Sequence, residues 1–264
     1  MDSKQIKDAA KRFGIDLCGI APLSRFEGVA PEKDPRQIFP AGKNIIVIGR
    51  RILRGSLRGV ENGGALQGAY QDFSMFMLED QFLAKATYDL VIWMEARGFE
   101  AVPIFGYDAD AASAKPLGIP VSEGKPAANV YVDWRLAAHL AGLGETGRNG
   151  LFITPEFGTL QRFAMLITDA DLTADEVITR NVCENCGACE KACPLEGASK
   201  CNRCHEGAIH TDIGRFNIVD KIGAPCGRAC LSSLEERSLI VQSYSEPFRS
   251  GNRETSNRNS GEVK

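Results

Sequence analysis

The stretch CENCGACEKACP, residues 183–194, places four cysteines in eleven consecutive positions. The chain has 264 residues and nine cysteines, and eight of the nine lie between Cys183 and Cys230. Cys18 stands alone ahead of them. A long front part almost free of thiols therefore precedes a short part crowded with them, and the two call for separate explanations.

The surroundings decide what the thiols are for. The N-terminus, MDSKQIKDAAKRFG, is polar and lacks the apolar run of a secretory signal. No stretch approaches the ~20 apolar residues that a membrane span needs. The expectation is a soluble, cytoplasmic protein with no membrane attachment. In that compartment clustered cysteines are metal ligands rather than disulfides. With 31 Lys+Arg against 34 Asp+Glu, the net charge is −3. That balance argues against a nucleic-acid binder, which carries a basic excess on one domain or face.

C-x2-C-x2-C-x3-C-P is the cysteine run of bacterial ferredoxins. Three of its thiolates hold one [4Fe–4S] cube and the fourth reaches across to a second. The tight spacing lets one loop wrap a cube with its backbone N–H groups turned toward the sulfides. Cys201-x2-Cys204 and Cys226-x3-Cys230 supply four more thiols, eight in all. The cross-over rule assigns Cys183, Cys186, Cys189 and Cys230 to one cluster, and Cys193, Cys201, Cys204 and Cys226 to the other. The alternative occupant is zinc, held by the same thiols as two four-cysteine knuckles. The first three cysteines crowd more tightly than a knuckle requires, and iron and acid-labile sulfide analysis separates the two.

Working outward, residues 3–13 read as an amphipathic helix and IDLCGIAP as a strand ending at Pro22. NIIVIGRR, 44–51, carries a buried-strand signal. RGSLRGVENGGALQG reads as a glycine-rich loop. Residues 79–97 read as a helix with Phe82, Leu83, Ala86, Leu90, Trp93 and Met94 on one face, closed by Gly98. EAVPIF reads as a short strand, followed by a long loop through 126. YVDWRLAAHLAGLG reads as a strand end, a helix and a glycine stop, and LFITPEFG and FAMLITD as strands. Without regular βαβ repetition the fold class is α+β over residues 1–178. The cysteine module follows at 179–235, and 236–264 is a polar tail, largely disordered. Neither G-x-G-x-x-G nor G-x-x-x-x-G-K-[ST] occurs, so the front part shows no dinucleotide or phosphate fingerprint.

VDWRLAAHLAGLGETGRNGLFITPEFGTLQRFAMLITDADL, residues 132–172, resembles a segment shared by cobalamin-dependent reductive dehalogenases and epoxyqueuosine reductases. The matching elements are Ala141 to Glu145, Arg148, Gly150, Ile153 to Pro155, Gly158, Arg162, Thr168, Asp169 and Leu172, with the cysteine run after them. The opening AKRFGIDLCGIAP resembles the start of epoxyqueuosine reductases. The resemblance implies a nitroreductase-like core carrying base-off cobalamin, followed by a bacterial-ferredoxin-like two-cluster module. It also implies an oxygen-sensitive oxidoreductase fed by an external low-potential donor of the ferredoxin or flavodoxin type. Clusters at about −400 mV suit the reduction of cobalt, and a weak lower axial ligand makes that reduction easier. The D-x-H-x-x-G motif of histidine-ligated cobalamin domains is absent. Epoxyqueuosine reductases carry Trp-Ile where Glu145-Thr146 stand, and many have a helical-repeat domain for tRNA that this chain stops short of. The twin-arginine signal of respiratory dehalogenases is also missing. These departures favour a small-molecule substrate over tRNA.

The resemblance makes Asp133 the candidate proton donor, and Asp133 also suits the N-cap of the helix behind it. Tyr88 and Tyr131 are the tyrosines that stand in rough position for the same role in a dehalogenase. Arg148 and Asn149, with Gly142, Gly144, Gly147 and Gly150, are the candidate contacts to a flat cofactor; the glycines would let backbone approach it closely. His139 and Cys18 read as a satisfied bystander and a small buried residue. Three functions follow. The leading one is a corrinoid-dependent reductase cleaving a carbon–heteroatom bond. The others are a two-cluster electron carrier that docks a redox partner, and the epoxyqueuosine step of tRNA modification.

Overall fold

A computed structural model describes residues 1–61, 67–104, 120, 122–125, 130–193 and 221–241. Strands β1 (Leu17–Pro22), β2 (Asn44–Arg51), β3 (Ala101–Ile104) and β6 (Gln161–Thr168) form an antiparallel sheet in the order β1-β2-β6-β3. A separate two-residue ladder pairs β4 (Glu145–Thr146) with β5 (Phe152–Ile153).

The central strands are apolar on both faces because both faces are covered. Ile46, Ile48, Ala164 and Leu166 turn to one side, where they meet helices α1 (Ser3–Arg12) and α3 (Ala84–Glu95). Ile45, Val47, Met165 and Ile167 turn to the other, against α4 (Trp134–Leu140). Side-chain alternation along each strand thus builds two cores from one sheet. Burying each such isoleucine or leucine contributes about 1.5–3 kcal/mol. Helix α1 starts at a capping box: Asp2 accepts the Gln5 N–H at 2.8 Å, and the Gln5 side chain accepts the Asp2 N–H at 2.9 Å.

Two expectations change. RGSLRGVENGGALQG is not all loop: Arg54–Leu57 forms a 3-10 turn and α2 (Arg58–Glu61) a single helical turn. The helix expected at 79–97 is preceded by wide π-type turns over Gln67–Phe76 and Leu78–Leu83 that run directly into α3. Gly68 and the polar residues around it hide that helical segment from propensity, whereas Tyr70, Leu78 and Leu83 bury into the core and hold it.

The cysteine region contributes α5 (Ala188–Lys191) and α6 (Pro225–Glu236). No clean seam falls at 178/179. Ile153 of the front part packs with Val182, Cys230 and Leu234, and Leu151 and Leu160 pack with Ile222 and Leu231. Part of the expected tail is also bound in place: Leu239 and Ile240 join that core, and Val241 donates to the Pro155 carbonyl. Cys201, Cys204 and most of the 105–128 loop lie outside the described residues, as does the tail beyond 241. Among the described residues no helix is long and apolar enough to cross a membrane.

Candidate functional site

Cys183, Cys186, Cys189 and Cys230 line one hollow. The same wall contains Arg148, Asn149, Ile153, Val182, Leu234 and Arg237. The first three cysteines are presented by the loop leading into α5, where Asn185 and Gly187 adopt left-handed backbone that curls the loop. The fourth comes from the buried side of α6. Burial pushes the Cys230 thiol up to about 12, and the nearby sulfurs of Cys189, Cys183 and Cys186 add to the rise. Cys189 is raised for the same reasons, burial first. For Cys186 burial acts upward, but the Ser233 hydroxyl at 3.3 Å, the Ala188 N–H and Arg237 more than offset it, and the net direction is down.

An iron–sulfur cube fits this donor set. A cube carries its irons at separate corners and asks its thiolates to stand apart. The cavity is apolar-walled, supplies an N–H to sulfur from Arg148 to Cys183 at 3.4 Å, and sets the positive Arg148 and Arg237 beside a group of net negative charge. Cys193 and Cys226 are described but lie outside this wall, and their expected companions Cys201 and Cys204 are not described.

On the other side of the same turn lies an open cleft of about 1010 Å³, lined by Asp133, Arg135, Leu136, His139, Glu145, Thr146, Gly150 and Thr179. The segment 145–150 separates the two hollows. Glu145, Thr146 and Gly150 face the cleft, whereas Arg148 and Asn149 face the cysteines. The cleft lining offers both hydrogen-bond donors and acceptors to a polar ligand. Asp133 caps α4: its Oδ1 accepts the N–H groups of Arg135 at 2.9 Å and Leu136 at 3.3 Å. Trp134, stacked on Phe163 with ring centroids 5.3 Å apart, fixes the same helix end. His139 Nδ1 lies 2.8 Å from the Gly144 carbonyl, which can only accept, so Nδ1 carries a proton.

Glu145 ties the two regions together. Its Oε2 accepts the N–H groups of Arg180 at 2.9 Å and Asn181 at 3.1 Å, and its Oε1 accepts that of Val182 at 2.7 Å. Burial pushes this carboxyl up, but the three backbone donors outweigh burial and hold it below the ordinary glutamate range. The sequence marks Glu145 as the end of the dehalogenase-like Ala141–Glu145 element and as a departure from the Trp-Ile of epoxyqueuosine reductases; its clamp on the residues just before Cys183 has no local sequence signal. Ser233 and Arg237 were missed likewise, since nothing marks α6 residues as neighbours of a loop 47 to 51 positions earlier.

The remaining candidates divide. Tyr131 sits two residues before Asp133, half-buried, its N–H bonded to the Glu32 carbonyl at 2.8 Å. Tyr88 is 64% exposed on α3, across the sheet from α4, so the fold does not bring it to Asp133. The close backbone approach expected at Gly142 and Gly144 is made by the chain itself: a Cβ there would stand 2.3 Å from the Glu176 carbonyl oxygen and 2.1 Å from that of Ile153. Arg148 pairs with Glu190 of α5 at 3.5 Å rather than facing the cleft. Cys18 is a half-covered strand residue whose thiol burial raises to about 12.

No protein-family model matches the chain. A tetrachloroethene reductive dehalogenase of Dehalobacter restrictus is 32% identical over 120 residues, 44% of this chain and 18% of the relative. That of Sulfurospirillum multivorans is 38% identical over 80 residues, 29% of this chain and 16% of the relative. The chain thus spans less than a fifth of the dehalogenases it matches. By fold it is similar to a selenomethionine-labelled epoxyqueuosine reductase, with a TM-score of 0.51 and 17% identity over 74% of this chain and 52% of that one. It is equally similar to a catabolic reductive dehalogenase solved with 3-bromo-4-hydroxybenzoic acid, with a TM-score of 0.51 and 18% identity over 72% of this chain and 24% of that one. Another reductive dehalogenase structure of the same likeness is described in terms of B12-dependent dehalogenation.

Proposed function

We propose that this chain, a relative of the reductive dehalogenases that shares its fold with them and with the epoxyqueuosine reductases, is the electron-delivering and proton-delivering part of a corrinoid-dependent reductase. Its front part, 1–178, is a nitroreductase-like core and its cysteine region a two-cluster module. The net reaction is reductive cleavage of a carbon–heteroatom bond, R–X + 2e⁻ + H⁺ → R–H + X⁻. The electrons come from an external low-potential donor. The observation that carries this reading is the back-to-back arrangement of a four-cysteine cavity and an acid-bearing cleft on the two sides of residues 145–150.

Cys183, Cys186, Cys189 and Cys230 hold one [4Fe–4S] cluster, and Cys193, Cys201, Cys204 and Cys226 the other; the clusters supply one-electron transfer at low potential. A corrinoid in the cleft supplies a reducible cobalt, the chemistry that no side chain here offers. Around it the chain's own residues orient and protonate. Asp133, at the rigid N-terminus of α4, is the proton donor, and Tyr131 is the alternative beside it. Arg135 and His139 line the same wall and contact polar groups of what binds there. Residues 145–150 contribute to both linings, so a cluster and a corrinoid held there would be neighbours. The curated relatives that match in sequence act on tetrachloroethene, which favours a small organic substrate over tRNA.

The test is anaerobic reconstitution with iron and sulfide, followed by EPR and visible spectra with and without added cobalamin. The expected result is two reducible [4Fe–4S] signals and shifted cobalt bands. Cys186→Ser is expected to halve the iron and remove one signal. Zinc without sulfide overturns the reading, and clusters with unchanged cobalt bands reduce it to a two-cluster electron carrier.

A further inference from the structure

We infer that Asn149 sets the reduction potential of the cluster at Cys183, Cys186, Cys189 and Cys230, an assignment that rests on the cluster reading above. Asn149 belongs to the front part of the chain, yet its side chain is 2% exposed and forms part of the cysteine cavity. Its Oδ1 accepts the Leu151 N–H at 3.2 Å. That bond fixes which end of the amide is which, because only the oxygen accepts. With the oxygen so engaged, the NH₂ end is the one turned to the cavity wall that Asn149 shares with Cys230. The neighbouring Arg148 N–H donates to the Cys183 sulfur at 3.4 Å. One turn therefore brings a backbone N–H to the Cys183 sulfur and a buried amide into the wall beside Cys230.

The turn is built for this approach. A Cβ on Gly147 would stand 2.9 Å from Ile153 Cδ1, 3.2 Å from Asn149 Oδ1 and 3.4 Å from the Cys183 sulfur, so the glycine lets the turn lie directly against the amide and the thiol. Ile153, Val182 and Leu234 keep the cavity wall apolar, where a hydrogen bond acts at low dielectric and counts for more than in water. A cluster becomes more negative on reduction. Donors to its sulfurs stabilise the reduced form more than the oxidised form and raise the potential. Asn149 is thus a tuning residue through which the part of the chain that walls the cleft adjusts its own electron source.

The test is an EPR-monitored redox titration of the reconstituted full chain against Asn149→Ala and Asn149→Asp. The second variant keeps the side-chain shape and the oxygen that receives Leu151, but replaces the donor end with an acceptor. In both variants one midpoint potential is expected to move to a more negative value at unchanged iron and sulfide content, while that of the other cluster stays in place. Two unmoved potentials, or two that move equally, overturn the assignment. Loss of the cluster in both variants also overturns it, since Asn149 would then be holding structure rather than tuning a potential. A wild-type protein without any cluster signal instead brings down the cluster reading itself.

Discussion

At the scale of the residue, Asp133 carries two roles that mutation separates. Its carboxylate caps α4, and the same side chain lines the cleft. Asparagine caps a helix about as well as aspartate but cannot supply a proton. Asp133→Asn is therefore expected to leave the thermal midpoint nearly unchanged while reductive turnover falls by roughly 10²–10⁴-fold, the usual contribution of a positioned acid. Asp133→Ala is expected to lose the cap as well, at about 1 kcal/mol, read by denaturant unfolding. Full turnover in Asp133→Asn would move the proton to Tyr131, whose Tyr131→Phe variant would then be the inactive one. Tyr88 does not compete, because α3 lies on the opposite face of the sheet.

At the scale of the element, the join between β4 and the cysteine loop is decisive. Three consecutive N–H groups, of Arg180, Asn181 and Val182, converge on one carboxylate. Each hydrogen bond to a charged group contributes about 1.5–3 kcal/mol in favourable cases, so Glu145→Ala is expected to free the segment ahead of Cys183. Faster amide exchange at 180–182, with exchange in β2 and β6 unchanged, is the outcome to look for. The pH dependence has a fixed sign. The folded-state carboxyl sits below its ordinary value, so the clamp's stabilisation is present above about pH 4.3, the unfolded value. It is lost as pH falls through the lower folded value. Glu145→Gln keeps the shape, loses the charge, and is expected to flatten that acid-side fall in stability.

At the scale of the whole molecule, the cysteine region is not a bead on a string. Val182, Cys230, Leu234 and Ile240 share a core with Ile153, and Arg180 and Arg237 bond to the carbonyls of Leu239 and Val182. Ligand binding to the native state stabilises whatever holds it. Removal of iron by an anaerobic chelator is therefore expected to loosen 180–193 and 221–241 together. Limited proteolysis should cut there first, while the sheet and helices α1 and α3 stay protected. Cleavage spread evenly over the chain would show that the front part depends on the clusters for its own fold.

The sequence by itself determined the α+β class, the central strands, helix α4 with its capping aspartate, and the four-cysteine run, because each is written in local spacing: apolar continuity, a cap before a helical stripe, thiols three apart. It also carried the likeness to the dehalogenases, through Ala141–Glu145 and the residues after it. Only the tertiary structure decided which side of the 145–150 turn each residue faces. Arg148 and Asn149 went to the cysteines, Glu145 to the backbone of 180–182, and Gly142 and Gly144 to the chain's own carbonyls. Those partners lie between 9 and 81 positions away along the chain. Contacts at such separation come from how the sheet, α4 and α6 pack together, and no periodicity in a local window encodes them.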